Sequence, residues 1–350
     1  MILKAMKIKS KYWMVNIVAI LVIGSLFSFT LLKSFAVQEE ERVKEEKKYI
    51  KWVEFNVTEE LLEKTSKIDI NSHTKEGEVP ISWITLLSYL AAKYGGNFKS
   101  FQQKDLDNVV QRLKNKEPIE EITKNMKLYP YYYECYESIL KEYIGEYEIE
   151  TTQEDGSKCF QKKYGIKAFL PIAKNYGFSH YDDFGAARSY GYKRTHLGND
   201  LMGSIGTPII AVESGVVEAV GWNQYGGWRI GIRSLDKKRY YYYAHLRKDH
   251  PFAKDIEEGK VVKAGDVIGY LGMTGYSSKE NVNNINVPHL HFGIQLIFDE
   301  SQKEGTNQIW IDVYSLINFL KKNKSEVYKA YTDTKDYERK YDIMDPIVAE

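Results

Sequence analysis

The chain has 350 residues and a formal net charge of +1, with 49 Lys and Arg against 48 Asp and Glu. That length leaves room for a membrane anchor and two further domains, and the balanced charge, with no basic stripe carrying interleaved aromatics, argues against a nucleic-acid partner. Tyrosine is abundant, 28 residues against 8 prolines, which suits strands.

Lys4, Lys7, Lys9 and Lys11 precede an apolar run over residues 12–32. At 1.5 Å rise per residue such a run spans a hydrocarbon core of about 30 Å. It is longer than the roughly 7–15 apolar residues of a cleaved signal peptide, so it is read as an uncleaved anchor. The lysines lie before the run and Glu39, Glu40, Glu41, Glu45 and Glu46 after it. The positive-inside rule therefore places residues 1–11 in the cytoplasm and everything beyond Lys33 outside, giving a single-pass protein of the cell membrane. Residues 33–75 are charged and read as a stalk or a short amphipathic helix rather than a core.

From Pro80 the pattern turns helical. Trp83, Leu86, Leu87, Leu90, Ala91 and Tyr94 fit one apolar stripe, and Leu106, Val109, Val110 and Leu113 a second. Gly95-Gly96 and Pro118 break the helices, and another helix is expected after Pro130 through Tyr133, Tyr136, Ile139, Leu140 and Ile144. These make a small helical module over residues 76–150, a spacer that presents the C-terminal domain, with a connector over 151–180. Cys135 and Cys159 are the only thiols. An outside location would allow them to pair, but their spacing does not decide it.

Residues 181–325 read as a mainly antiparallel β domain, making the whole chain α+β. Strands are expected over 208–212, 216–222, 228–233, 239–246, 267–271 and 289–297, close enough for hairpins, with turns at Glu213-Ser214-Gly215, Tyr225-Gly226-Gly227 and Leu235-Asp236-Lys237-Lys238. A helix over 313–320 packs on the sheet, and residues 326–350 form a polar, solvated tail.

Five side chains in this domain can act on one metal: His196, Asp200, His245, His289 and His291. In His289-Leu290-His291-Phe292-Gly293-Ile294 polar and apolar residues alternate, so both histidines share one face while Leu290, Phe292 and Ile294 enter the core. By the same parity His245 would share a face with Tyr243 and Tyr241. Two neutral imidazoles and one carboxylate are a common set for catalytic Zn²⁺ that leaves one tetrahedral position open. Each piece alone is ordinary strand or loop chemistry; it is their convergence that points to metal. His73, His180 and His250 have no partner at ligand spacing and are expected in solvent. The stretch Gly265 to Gly272 also resembles half of a lipoyl or biotinyl carrier barrel, but it lacks the lysine in its Met-Lys-Met setting.

At His196-Leu197-Gly198-Asn199-Asp200, Tyr243-Ala244-His245-Leu246, Val262 to Gly269, Thr274-Gly275 and Pro288-His289-Leu290-His291-Phe292 the chain resembles the LytM and lysostaphin-type zinc metallopeptidases. These cut peptide bonds in bacterial peptidoglycan. The resemblance implies one Zn²⁺ held by His196, Asp200 and His291, with His245 and His289 as the catalytic pair, one taking a proton from water and the other stabilising the oxyanion. Which does which is left open. Asn199, Tyr243 and Arg247 are candidate substrate contacts or supports of the ligands. Arg247 stands where the family often has serine, and a polar insertion over 279–287 precedes the His289 motif; both are expected beside the substrate groove. The anchor, the helical stretch, Asn223 to Trp228 and the insertion are similar to the LytH-like sporulation enzymes, which implies cleavage of the L-Ala–D-Glu bond of the stem peptide. The rival readings are a catalytically silent envelope scaffold or amidase activator that retains the metal site, and a wall-binding module. In a wall protein the tyrosines could also stack on sugars.

Overall fold

The computed structural model describes residue 33 and residues 49–189, 193–330 and 336–349. The chain divides into two units, Met1–Ile50 and Lys51–Glu350. The expected anchor over 12–32 lies outside the described residues, among which no helix is long and apolar enough to cross a membrane. The helices and strands numbered here all belong to the second unit.

Thr58 opens α1 (Glu59–Thr74), its hydroxyl accepting the Leu61 N–H at 3.3 Å while Glu59 and Glu60 face the positive end of the helix. The stalk expected over 33–75 does not extend to this segment. Leu61, Leu62, Thr65, Ser66, Asp69 and Ser72 are buried, and Asp69 accepts from the Trp83 N–H at 2.8 Å and the Tyr164 hydroxyl at 2.7 Å. Most of that buried face is polar and satisfied inside the protein, so apolar periodicity does not reveal it.

Helices α2 (Trp83–Tyr94), α3 (Gln103–Lys114), α4 (Ile119–Thr123) and α5 (Tyr129–Leu140) follow. Ser82 caps the start of α2, and Gly95 ends it in the left-handed conformation at φ 63°. The last helix stops before Ile144, which begins β1 (Ile144–Thr152), and β1 pairs antiparallel with β2 (Lys158–Ile166). This hairpin crosses the expected boundary between module and connector; its charged residues alternate with apolar ones along Glu146-Tyr147-Glu148-Ile149-Glu150, a period-2 pattern. Cys135 on α5 and Cys159 on β2 are both free thiols, and burial pushes Cys135 up to about 12.

The second half is built on antiparallel strands: β3 (Ala187–Ser189), β4 (Lys193–Thr195), β5 (Asn199–Met202), β6 (Pro208–Ile210), β7 (Gly215–Asn223), β8 (Gly227–Ser234), β9 (Arg239–Ala244), β10 (Val261–Val262), β11 (Val267–Tyr270), β12 (His289–Leu296) and β13 (Ile309–Ile311). The main sheet runs β10-β7-β8-β9-β12-β13, with β5 also pairing β12, while β6 and β11 form a separate pair. Helix α6 (Tyr314–Leu320) sets Phe319 against Trp83 of α2, ring centroids 5.7 Å apart. A buried ion pair joins the sheet to the helices: Arg239 holds Glu213 through two hydrogen bonds of 2.8 and 2.9 Å and donates to the Ser138 carbonyl of α5 at 2.6 Å.

The expected solvated tail is also ordered against the body. β14 (Val327–Lys329) pairs β15 (Tyr337–Arg339), and β16 (Ile343–Met344) pairs β1, burying Ile343. Asp345 is buried beside Lys167, whose ammonium lies 3.0 Å from it and 2.7 Å from Glu142. The two-residue apolar run Ile343-Met344, flanked by Asp342 and Asp345, is too short to be read as core, yet it completes a sheet edge. A short helix, α7 (Pro346–Ala349), ends the described chain.

Candidate metal centre

Strand β12 is shared by every part of the site. Its partner β5 places Asp200 directly opposite His291, and its partner β9 places Ala244, the neighbour of His245, opposite the same residue. Leu290, Phe292 and Ile294 are buried in the core, so His289 and His291 are turned together to the other face, as the alternation requires. His196 arrives on the turn that leads from β4 into β5.

His196 Nε2, Asp200 Oδ1 and His291 Nδ1 form a triangle with sides of 3.0, 3.2 and 2.9 Å. Zinc bonded at about 2.0–2.1 Å in a tetrahedron needs ligand atoms about 3.3 Å apart, so these donors fit the ion with little adjustment. The supporting contacts fit as well. His196 turns its other nitrogen to Asp183, 3.1 Å from the carboxylate and 3.3 Å from the carbonyl, the orienting contact that metal-bound histidines make. A Cβ on Gly198 would come within 2.7 Å of the His291 ring, so the turn packs flat against this ligand.

His245 and His289 stand over the triangle, their ring centroids 4.9 Å apart. His245 Nδ1 lies 2.9 Å from the Thr274 carbonyl, and His289 Nδ1 lies 2.7 Å from the Val287 carbonyl. A carbonyl only accepts, so both rings carry the proton on Nδ1 and present Nε2 to the site. His289 Nε2 is 3.8 Å from Asp200 Oδ1. His245 has a left-handed backbone at φ 63°, and a Cβ on Gly275 would approach its Nδ1 to 3.0 Å. That turn explains why strand parity fails at this residue.

Burial opposes charge on each of these groups. For Asp200 it is outweighed by hydrogen bonds from His196 and His291 and by the nearby imidazoles, which hold the carboxyl well below its usual range. For His196 burial is outweighed by the Asp200 and Asp183 carboxylates, and its pKa is raised. His245 is pushed well below its ordinary value by burial and by His289 and His291; His291 is lowered chiefly by burial.

A cavity of about 280 Å³ opens over the triangle, lined by Arg188, Arg194, Tyr242, Tyr276, Asn284 and Asn286 besides the five site residues. The insertion thus borders the groove as expected, although its Asn281 is engaged within the fold, accepting from the Trp228 indole N–H at 2.9 Å and donating to Asp249 at 2.7 Å. The candidate contacts Asn199, Tyr243 and Arg247 lie elsewhere. Asn199 is buried between His180, 2.7 Å away, and the Tyr181 carbonyl. Tyr243 is fully buried and accepts the Val212 N–H at 3.1 Å; the adjacent Tyr242 faces the metal centre instead. Arg247 lies over the Tyr270 ring at 5.0 Å beside a separate cavity.

The three histidines expected in solvent are all engaged. His73 stacks on Tyr164 next to Asp69, His250 stacks on Tyr270 and reaches Asp336 at 2.9 Å, and His180 joins Asn199 to Asn318. Arg188 and Arg194 were not anticipated from sequence. Only their position just before the His196 motif pointed to them, and the hairpin β3–β4 that folds them over the site is a tertiary feature.

Two histidines and an aspartate whose ligand atoms lie close enough to share an ion, with two more histidines presenting Nε2 above them, make an arrangement of the kind a metallohydrolase uses. Residues 194–305 match the model described as Peptidase family M23, and over this stretch the chain is similar to peptidases of the LytM and lysostaphin type. It is 42% identical over 131 residues to the L-Ala–D-Glu endopeptidase of Bacillus subtilis, covering 37% of this chain and 38% of that protein. With lysostaphin of Staphylococcus simulans the identity is 40% over 98 residues, covering 28% of this chain and 17% of that one. The chain thus spans less than two-fifths of the curated relatives it matches. The fold alone is shared, at a TM-score of 0.51 and 22% identity, with the crystal structure of a candidate glycyl-glycine endopeptidase LytM from Ruminococcus gnavus, over 79% of this chain and 92% of that one.

Proposed function

We propose that the protein is a zinc-dependent endopeptidase of bacterial peptidoglycan that cuts the L-Ala–D-Glu bond of the stem peptide. The observation that carries the chemistry is the triangle of His196, Asp200 and His291 beneath two Nε2-presenting histidines. Bound zinc would supply a Lewis acid for the scissile carbonyl and a water of lowered pKa.

The remaining work falls to the chain. Held neutral by burial and with its Nδ1 committed to Thr274, His245 offers a free Nε2 lone pair as proton acceptor. His289, whose Nε2 lies 3.8 Å from Asp200 Oδ1, is placed on the opposite side of the site to act on the oxygen where negative charge develops. Asn284 and Asn286 on the insertion and Tyr242 on the sheet border the path of the peptide. The bond assignment is supported by the similarity to the Bacillus subtilis protein, which covers more of this chain than the similarity to lysostaphin.

The apolar run over 12–32 with its preceding lysines supports a single-pass anchor in the cell membrane with the peptidase outside, where wall remodelling or sporulation would use it. Digestion of purified peptidoglycan by the zinc-loaded protein, read by mass spectrometry, tests the reading: glycan units left with a single L-alanine are expected. Cut cross-bridges with intact proximal stems would overturn the bond assignment, and no cleavage at all would overturn the activity.

A further inference from the structure

Hairpin β3–β4 places two arginines directly opposite each other, Arg188 against Arg194, and both line the cavity over the metal triangle. Like charges facing across a strand pair destabilise it unless something compensates them. Arg188 is compensated: it pairs with Asp183 and lies 3.4 Å from Asp200 Oδ2. Arg194 is not. Its guanidinium lies over the Tyr276 ring at 4.6 Å, its Nε is buried without an acceptor, and no carboxylate among the described residues pairs with it.

Asp200, committed to the metal triangle, is the only acid lining the cavity among the described residues. The cavity therefore holds a half-buried, oriented guanidinium with open donors next to the reacting centre. A planar fork of this kind matches a carboxylate, and stacking on tyrosine fixes its plane before a ligand arrives.

We propose that Arg194, held on Tyr276, binds a free carboxylate on the residue next to the scissile bond and so selects acidic over amidated peptides. The inference rests on the peptidase reading above and names its substrate class. A glutamyl residue linked onward through one carboxyl keeps the other free, which puts an anion within a few bonds of the amide nitrogen being cut. Amidation of that carboxyl removes the charge and keeps the shape, so the pair of compounds isolates the contact.

The test is calorimetric binding of two dipeptides to the zinc-loaded full chain: γ-D-glutamyl-L-lysine with its glutamyl α-carboxylate free, and the same compound as the α-carboxamide. Neither contains the scissile bond, so turnover does not intervene. The acid is expected to bind about tenfold to a hundredfold tighter, the range for hydrogen bonds between charged groups. Arg194→Gln should remove that gap, and Arg194→Lys should keep part of it.

Equal affinities in the wild-type chain overturn the proposal without any variant. So does a gap that survives in Arg194→Gln, or binding of neither compound. Acid-selective binding without cleavage of peptidoglycan would sink the peptidase reading and leave Arg194 as a carboxylate site; cleavage with no acid preference would do the reverse.

Discussion

Gly198 packs directly against the His291 ring, and Gly198→Ala tests the metal geometry without touching a donor atom. Gly198 is not among the glycines with left-handed backbone, so alanine is permitted by conformation and only space is at issue. An added Cβ would lie 2.7 Å from the His291 Cε1, 2.7 Å from the Phe292 carbonyl oxygen and 2.8 Å from the His291 Nε2. Carbon atoms in contact sit about 3.5–4.0 Å apart, so the overlap is roughly 0.8 Å or more. The carbonyl belongs to β12 and has nowhere to go, so the turn or the His291 ring must move. Metal–ligand distances tolerate only about 0.2 Å, and a shift several times larger pulls one corner of the triangle out of bonding range. We expect zinc affinity to fall about 10–100-fold, as when a contact that orients a ligand is lost, and stability to fall by about 1–3 kcal/mol from overpacking. Competition against a chromophoric chelator reads the first and scanning calorimetry the second. A variant that keeps zinc within about twofold of the wild type would show that the turn does not hold His291 as described.

His291→Ala should abolish zinc binding, whereas His289→Ala should retain zinc and lose about 10²–10⁴-fold in peptidoglycan hydrolysis, because only the former supplies a corner of the triangle; metal analysis beside a turnover assay separates them, and full activity in both would remove the assignment of β12. Because the raised pKa of His196 keeps it protonated at pH values where an ordinary histidine is neutral, zinc must displace that proton, so affinity should climb with pH to above about 6.5, His196's ordinary value. His245 and His291 are lowered and release nothing in that range, so calorimetry in buffers of different ionisation enthalpy should find a proton released on zinc binding that diminishes as the pH rises above that value. Glu213→Ala leaves Arg239 buried with its main partner gone, and a loss of about 3–5 kcal/mol in denaturant unfolding is expected; a loss below about 1 kcal/mol would mean that Asp236 alone suffices. Protease added to intact protoplasts should digest the protein beyond Lys33, and full protection would overturn the anchor reading.

The convergence of the candidate metal ligands was legible in the sequence because β12 is regular. Leu290, Phe292 and Ile294 all face the core, so period-2 parity correctly turned His289 and His291 to one face. The same rule misplaced the tyrosines of β9. It assumes extended backbone through to His245, but the strand ends at Ala244 and His245 turns back with positive φ, bringing its ring to the face that Tyr242 shares. Residues that adopt sparsely populated backbone at a site are where pattern reasoning is expected to break. The packed half of the expected stalk and the C-terminal strands were hidden for another reason. Their buried groups are largely polar or charged, among them Asp69, Ser72 and Asp345, and their partners lie far away in sequence, Tyr164 and Lys167 among them.

Parity also explains why one strand can decide the whole centre. Asp200 and Ala244 approach His291 from the two sides of β12, so the ligand from β5 and the histidine following β9 meet only if β12 holds its register with both neighbours. A slip of one residue would turn His289 and His291 into the core and send Leu290 and Phe292 toward the groove, burying two unpaired imidazoles and exposing two large apolar side chains. The apolar residues of β12 are therefore as much a part of the metal site as its histidines. Shortening one of them, as in Phe292→Ala, is expected to cost about 3–5 kcal/mol of stability from the lost burial and to loosen the triangle at the same time. Zinc affinity measured alongside unfolding separates the two effects: a variant that loses the stability yet binds zinc as tightly as wild type would show that the register is held by the backbone ladder alone.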